Sequence, residues 1–203
     1  MSKLTTRNIL KLYRQATPEQ RQAGHDWYND AHTIASALAF KYGHTLEQTA
    51  GVIAALSPLR SWGDNVNIAS RAISQGYLHS GAFKDSLYKV NRILSGEHPD
   101  SALGGDKVKA FYAGIVSAGH TDSVCVDRHA YDAATNTRHN DDTRPRLTSK
   151  RYRLIADLYV RASRQISRES GLRVSAAQVQ AVVWLVWRAR FWQAGAYDSF
   201  NAI

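Results

Sequence analysis

Along most of this chain apolar residues recur every three or four positions, the spacing of amphipathic helices rather than the alternation of strands. Thr5 or Thr6 is placed to cap a first helix running to about Gln15, and Pro18 suits the opening turn of a second that reaches Tyr42, where Gly43 ends it. Thr45-Leu-Glu-Gln48 is a capping box ahead of the apolar run AGVIAALS; it predicts a mostly buried helix over 46–56, stopped by Pro58. Amphipathic helices are predicted over 64–75 and 84–94, and Leu103–Lys109 opens another through about Val116. The short apolar run Val124-Cys-Val126 leads into Asp127, with a helix beginning at Arg128. Residues 136–148 are polar and carry Pro145, which reads as a loop between helices. Thr148 starts a long basic helix to about Ser170, Gly171 ends it, and Ser175-Ala-Ala-Gln178 is a second capping box for a last helix to about Trp192. The fold class is all-α, since the few β-branched clusters cannot build a sheet.

With 203 residues the chain suits a single domain spanning 1–203. Hydrophobic residues at 44% and charged residues at 21% are those of an ordinary folded protein. No apolar run approaches the roughly 18 residues of a membrane span and the N-terminus lacks a secretory h-region, so a cytoplasmic monomer away from membranes is expected. The one cysteine, Cys125, excludes an internal disulfide framework, a Cys-ligated zinc site and a four-cysteine iron–sulfur cluster. The eight histidines show no metal-ligand spacing, so neither metal nor cofactor is expected. Charge points elsewhere: the net +9 favours a polyanionic partner, nucleic acid first. Between Arg128 and Arg190 there are 13 basic and 5 acidic residues, so the basic face comes mostly from the C-terminal helices over 148–192.

Three segments, taken in order, resemble the helix-hairpin-helix superfamily of DNA base-excision glycosylases, the group that includes endonuclease III. Val52–Val66, reading VIAALSPLRSWGDNV, is similar to that family's apolar helix and serine-led loop, which inserts a side chain where a base has flipped out. Leu103-Gly-Gly-Asp-Lys-Val-Lys109 can be laid on the hairpin pattern Leu-Pro-Gly-Val-Gly-Arg-Lys, placing the hairpin region at about 103–127. Val126-Asp-Arg-His-Ala130 is similar to Val-Asp-Thr-His-Val, whose aspartate is the family's catalytic carboxylate; Lys109 precedes Asp127 by 18 residues, the family's own spacing. The sequence departs from the pattern where Gly104 replaces the hairpin proline and Lys107 its second glycine, and it lacks the cluster-binding cysteines. The resemblance implies a single-domain glycosylase-type helical bundle without an iron–sulfur cluster, acting on double-stranded DNA.

Within that resemblance, Asp127 either stabilises the positive charge that develops as a glycosidic bond breaks or simply caps the helix at Arg128; the two roles are compatible. Lys109 or Lys107 would serve as a Schiff-base nucleophile only if its amine were buried; otherwise each is a surface or phosphate contact. Ser57, Arg60 and Trp62 belong to the loop, where Arg60 and Trp62 suit a wedge or stacking platform and Trp62 could instead pack beneath it. Asn65 reads as a base contact or a helix cap, Gly104 and Gly105 as a backbone cradle for phosphate, Arg128 as a DNA contact, and His129, which matches the family's histidine, as a DNA or base contact or a structural residue. Gln180 and Trp187, on a stripe with Trp184 and Arg188, read as core or as walls of a base pocket. Base excision is the leading function. The alternative, from a similarity to bacteriophage thymine-hypermodification enzymes of the same superfamily, is transfer of an amino acid or amine onto the 5-methylene carbon of a pyrophosphorylated hydroxymethyluracil, with Lys107, Lys109 and Arg128 neutralising the pyrophosphate. A third reading is a DNA-binding protein without chemistry.

Overall fold

The computed structural model describes residues 3–140 and 142–191. Ten helices follow one another there: α1 Thr6–Gln15, α2 Pro18–Tyr42, α3 Leu46–Leu56, α4 Trp62–Gln75, α5 Lys84–Leu94, α6 Pro99–Ala102, α7 Asp106–Val116, α8 Arg128–Thr135, α9 Ser149–Ser170 and α10 Ala176–Phe191. No strand occurs among the described residues. Their ends follow the caps. Thr17, Thr45 and Ser175 each accept the backbone N–H three residues on, while Gln20, Gln48 and Gln178 return the bond, so three helices start on complete capping boxes. α4 begins at Trp62, two residues before the position predicted, because Ser61 accepts the Asp64 N–H. α6 was not predicted; Pro99 opens its single turn ahead of Leu103. Trp192, the predicted end of the last helix, lies outside the described residues.

The interior has two clusters. In one, α3 is the centre: every residue from Thr49 to Leu56 is buried, against α2, α4, α5 and α7. In the other, α1 closes over α8, α9 and α10, with Ile9 and Leu12 wholly buried beside Ile155, Tyr159 and Trp187. α10 belongs to both, giving Ala177 and Ala181 to the first and Val179, Val182, Val183, Val186 and Trp187 to the second. It is buried on nearly all sides and packs most extensively on α2. That contact depends on Gly24, where a Cβ would stand 2.5 Å from Val182 Cγ2 and 2.6 Å from its Cα. No helix among the described residues is long and apolar enough to cross a membrane.

Candidate active site

Asp127 sits where the extended segment Val124–Val126 turns into α8. Val124 and Val126 are buried, which fixes the approach, and the Asp127 carboxylate accepts the Ala130 N–H at 2.8 Å as N-cap. Two tyrosines of α9 hold the same stretch from behind. The Tyr152 hydroxyl donates to the Val124 carbonyl at 2.6 Å and accepts the Val126 N–H at 3.2 Å; the Tyr159 hydroxyl donates to the Ala130 carbonyl at 3.4 Å. Burial raises the pKa of both phenols, so they remain protonated donors at neutral pH. Asp127 itself is half-buried, its orientation fixed on both sides along the chain.

The carboxylate edges a cleft of about 200 Å³. Arg128 and Tyr131 form its wall on α8, and Arg144, Pro145, Arg146 and Leu147 close it from the loop between α8 and α9. The loop is pinned beneath by Asp132, only 1% exposed, whose oxygens accept Arg144 Nε at 3.1 Å, Arg144 Nη2 at 2.9 Å and His139 Nδ1 at 3.0 Å. Arg144 Nη2 also donates to the His139 carbonyl at 2.6 Å, and the His139 ring packs edge-on against Tyr131. Arg144, Arg146, Asp132 and Tyr152 carry this arrangement and were not singled out from the sequence. The available signal was an acid set among small apolar residues in Ala130-Tyr-Asp-Ala-Ala134, and arginines on both sides of Pro145.

Near Asp127, burial lowers the pKa of His129 against the opposing pull of the Asp127 charge, leaving the imidazole neutral at pH 7. Desolvation pushes the half-buried Cys125 thiol up to about 12, which makes it a poor nucleophile. The nearby Lys107 ammonium only partly offsets that rise, so its charge lies within reach of Cys125. Both Lys107 and Lys109 are exposed, and Lys109 Nζ donates to the Asp100 carbonyl at 2.9 Å. Neither amine has the desolvation that a Schiff-base nucleophile needs, so the structure places both as surface cations. Gly104 and Gly105 are exposed in the turn before α7, and Gly105 has φ +78°, a conformation that favours glycine.

In the loop after α3, Trp62 takes the packed alternative and Arg60 departs from the wedge reading. Arg60 donates to the Gly81 carbonyl at 2.8 Å, and Trp62 packs against Trp27 and Phe111, with centroids 5.2 and 6.4 Å away; both are therefore tied down instead of projecting. Ser57 closes the last turn of α3 by donating to the Ala54 carbonyl at 2.9 Å. Asn65 is buried and donates to the Ile53 carbonyl at 3.1 Å, a strut between α3 and α4 rather than a base contact or cap. The residue that does project is Leu59, 92% exposed at φ 55°, a left-handed conformation that costs a leucine about 1–2 kcal/mol. Gln180 and Trp187 are buried in the core, Trp187 fully and beside Phe191, and neither lines the cleft. The stripe expected on the last helix separates there: Trp184, beneath the Arg188 guanidinium, is half-exposed while Trp187 is enclosed.

Residues 1–191 match the profile of DUF7178, a family of unknown function. The chain belongs to DUF7178. No curated protein and no solved structure matches it. The DUF7178 match runs through the helices of both clusters and through the whole loop from Thr137 to Thr148, so cleft and scaffold fall within one family unit.

Proposed function

We propose that this DUF7178 protein is a DNA-binding enzyme of the helix-hairpin-helix glycosylase type, acting on a base flipped out of the duplex, with Asp127 as its reacting carboxylate. The observation that carries the reading is the position of Asp127: a fixed, half-buried acid on the rim of an arginine-lined cleft. In base excision the glycosidic bond breaks, the base leaves with its electron pair, and Asp127 stabilises the cationic sugar and takes a proton from the water that adds to it. The exposure of Lys107 and Lys109 favours this hydrolytic course over one through a lysine adduct. Leu59 serves as the wedge, because it is the apolar side chain that projects from the loop the resemblance assigns to that task. Leu59→Gly is expected to change stability by less than about 1 kcal/mol, the relief at positive φ opposing the added freedom of the unfolded chain, and to cost about tenfold or more in turnover on duplex. An unaltered turnover on duplex would remove Leu59 from the role.

A second reading is favoured by the positive cleft: displacement of pyrophosphate from an exocyclic methylene by an amine, in which a C–O bond breaks, a C–N bond forms and Asp127 takes the proton of the amine. One experiment separates the two. Duplexes containing uracil, hydroxymethyluracil, its pyrophosphorylated form, alkylated purines or oxidised bases are incubated with wild type and Asp127→Asn, with and without amino acids, and the products are weighed by mass spectrometry. Asparagine caps a helix as well as aspartate, so the variant keeps the start of α8 and removes the chemistry. A free base dependent on Asp127 is the expected product. An intact, heavier nucleoside with released pyrophosphate would replace excision by transfer, and no product from any duplex would leave a DNA-binding protein without catalysis.

A further inference from the structure

The geometry points to a phosphate-binding clamp formed by Arg128, Arg144 and Arg146 across the cleft beside Asp127. Three arginines line one small space, and a guanidinium is a planar fork of donors matched to phosphate oxygens. Among the described residues two acids stand against them. Asp132 balances Arg144 from below and Asp127 lies on the rim, so the lining residues retain a net positive charge. That charge favours an anion over a metal cation.

The arrangement is also fixed in advance. A buried carboxylate–guanidinium pair is an expensive way to tie down a loop, since well-packed apolar side chains hold one at least as firmly. What Asp132 adds is orientation: it grips one edge of Arg144 and, through His139, the backbone beside it. Arg146 is held by its backbone, because its carbonyl accepts both Arg151 Nη1 and the Thr148 N–H, while its exposed side chain makes no hydrogen bond or ion pair among the described residues. One guanidinium is thus locked and another is left for a ligand. Tyr131 and Leu147 give the cleft an apolar flank suited to a phosphate carried on an organic group. The clamp rests on the nucleic-acid reading only for the source of the phosphate, which is either the DNA backbone or a phosphorylated small substrate.

The test uses the full chain, inorganic pyrophosphate in calorimetry, and an unmodified duplex in fluorescence anisotropy at fixed ionic strength. Arg146→Gln removes the unpaired arginine, and Arg161→Gln removes the same charge from the exposed face of α9, where Arg161 pairs with Asp157 at 2.7 Å. Wild type is expected to bind pyrophosphate, Arg146→Gln to bind it about tenfold more weakly, and Arg161→Gln to match wild type. If pyrophosphate does not bind, but Arg146→Gln loses about tenfold on duplex while Arg161→Gln does not, the clamp stands and its phosphate is the DNA backbone. Equal losses in the two variants, or none in either assay, overturn it. Asp127→Asn is expected to keep or tighten anion binding, so a clamp that holds in a protein without base chemistry separates this inference from the proposed reaction.

Discussion

Around α3 the interior is closed by alanines from α2, α3 and α4 meeting face to face, whereas around α8 it is closed by tyrosines whose hydroxyl groups end on backbone atoms. Alanines bring helices close and add no polar atom to satisfy, so the first cluster is held chiefly by shape, with buried Asn65 bonded to the Ile53 carbonyl as a strut. In the second, buried hydroxyls and a buried carboxylate must each find a partner, and each partner found fixes one particular piece of chain. The pieces fixed are Val124–Ala130 and the loop through Arg144, the two segments that make the cleft. The α3 cluster therefore acts as scaffold and the α8 cluster as an aiming device, and substitutions in the two should separate stability from function.

The largest effect is expected from Asp132→Asn, which removes a buried carboxylate charge that holds Arg144 and unpins the loop: about 4 kcal/mol in chemical denaturation, together with loss of anion binding. A loss below about 1 kcal/mol would mean that the loop is held by something else. Ile53→Ala, at a wholly buried position of α3, should cost about 3 kcal/mol yet leave activity per folded molecule unchanged; a fall in specific activity would break the division between scaffold and site. Tyr152→Phe removes one hydroxyl and strands the Val124 carbonyl and the Val126 N–H, for about 2 kcal/mol, and here turnover should fall with KM little altered. Smallest is a dependence on pH. Burial lowers the pKa of His25 and His129 from 6.5, so below about pH 6.5 the unfolded chain takes up protons that the folded chain refuses. Stability is therefore full above that pH and declines as it falls, and the decline measured by denaturation should be shallower in His129→Gln.

The same contrast explains what the sequence disclosed. Helix ends were legible wherever a local cap set them, as at Thr45 with Gln48 and Ser175 with Gln178, because cap and helix lie within four residues. The polar loop around Pro145 and the N-cap role of Asp127 were legible for the same reason. The grip of Tyr152 on Val124 and Val126 spans 26–28 residues, and that of Arg144 on Asp132 spans 12, so neither leaves a local pattern. On α10 the core reading of Gln180 and Trp187 was legible, but the separation of Trp184 from them was not, because periodicity assumes one wet face and this helix is enclosed nearly all round. In the loop after α3, wedge chemistry was read from the residue types of Arg60 and Trp62, but the backbone turns Leu59 outward and uses the other two to brace itself.

The seat of α1 has a consequence for the making of the protein. α1 is translated well before its partners α8, α9 and α10: the Thr5 N–H and Asn8 Nδ2 both donate to the Ala134 carbonyl, at 3.1 and 2.9 Å, and Ile9 and Leu12 lie against the cluster built by those helices. On the ribosome the first helix must wait, its apolar face unsheltered, until the last one emerges, while the α3 cluster already has most of its parts. A nascent chain halted before α10 would thus hold every residue that aims the carboxylate and the arginines, but not the helix against which α1, α8 and α9 close.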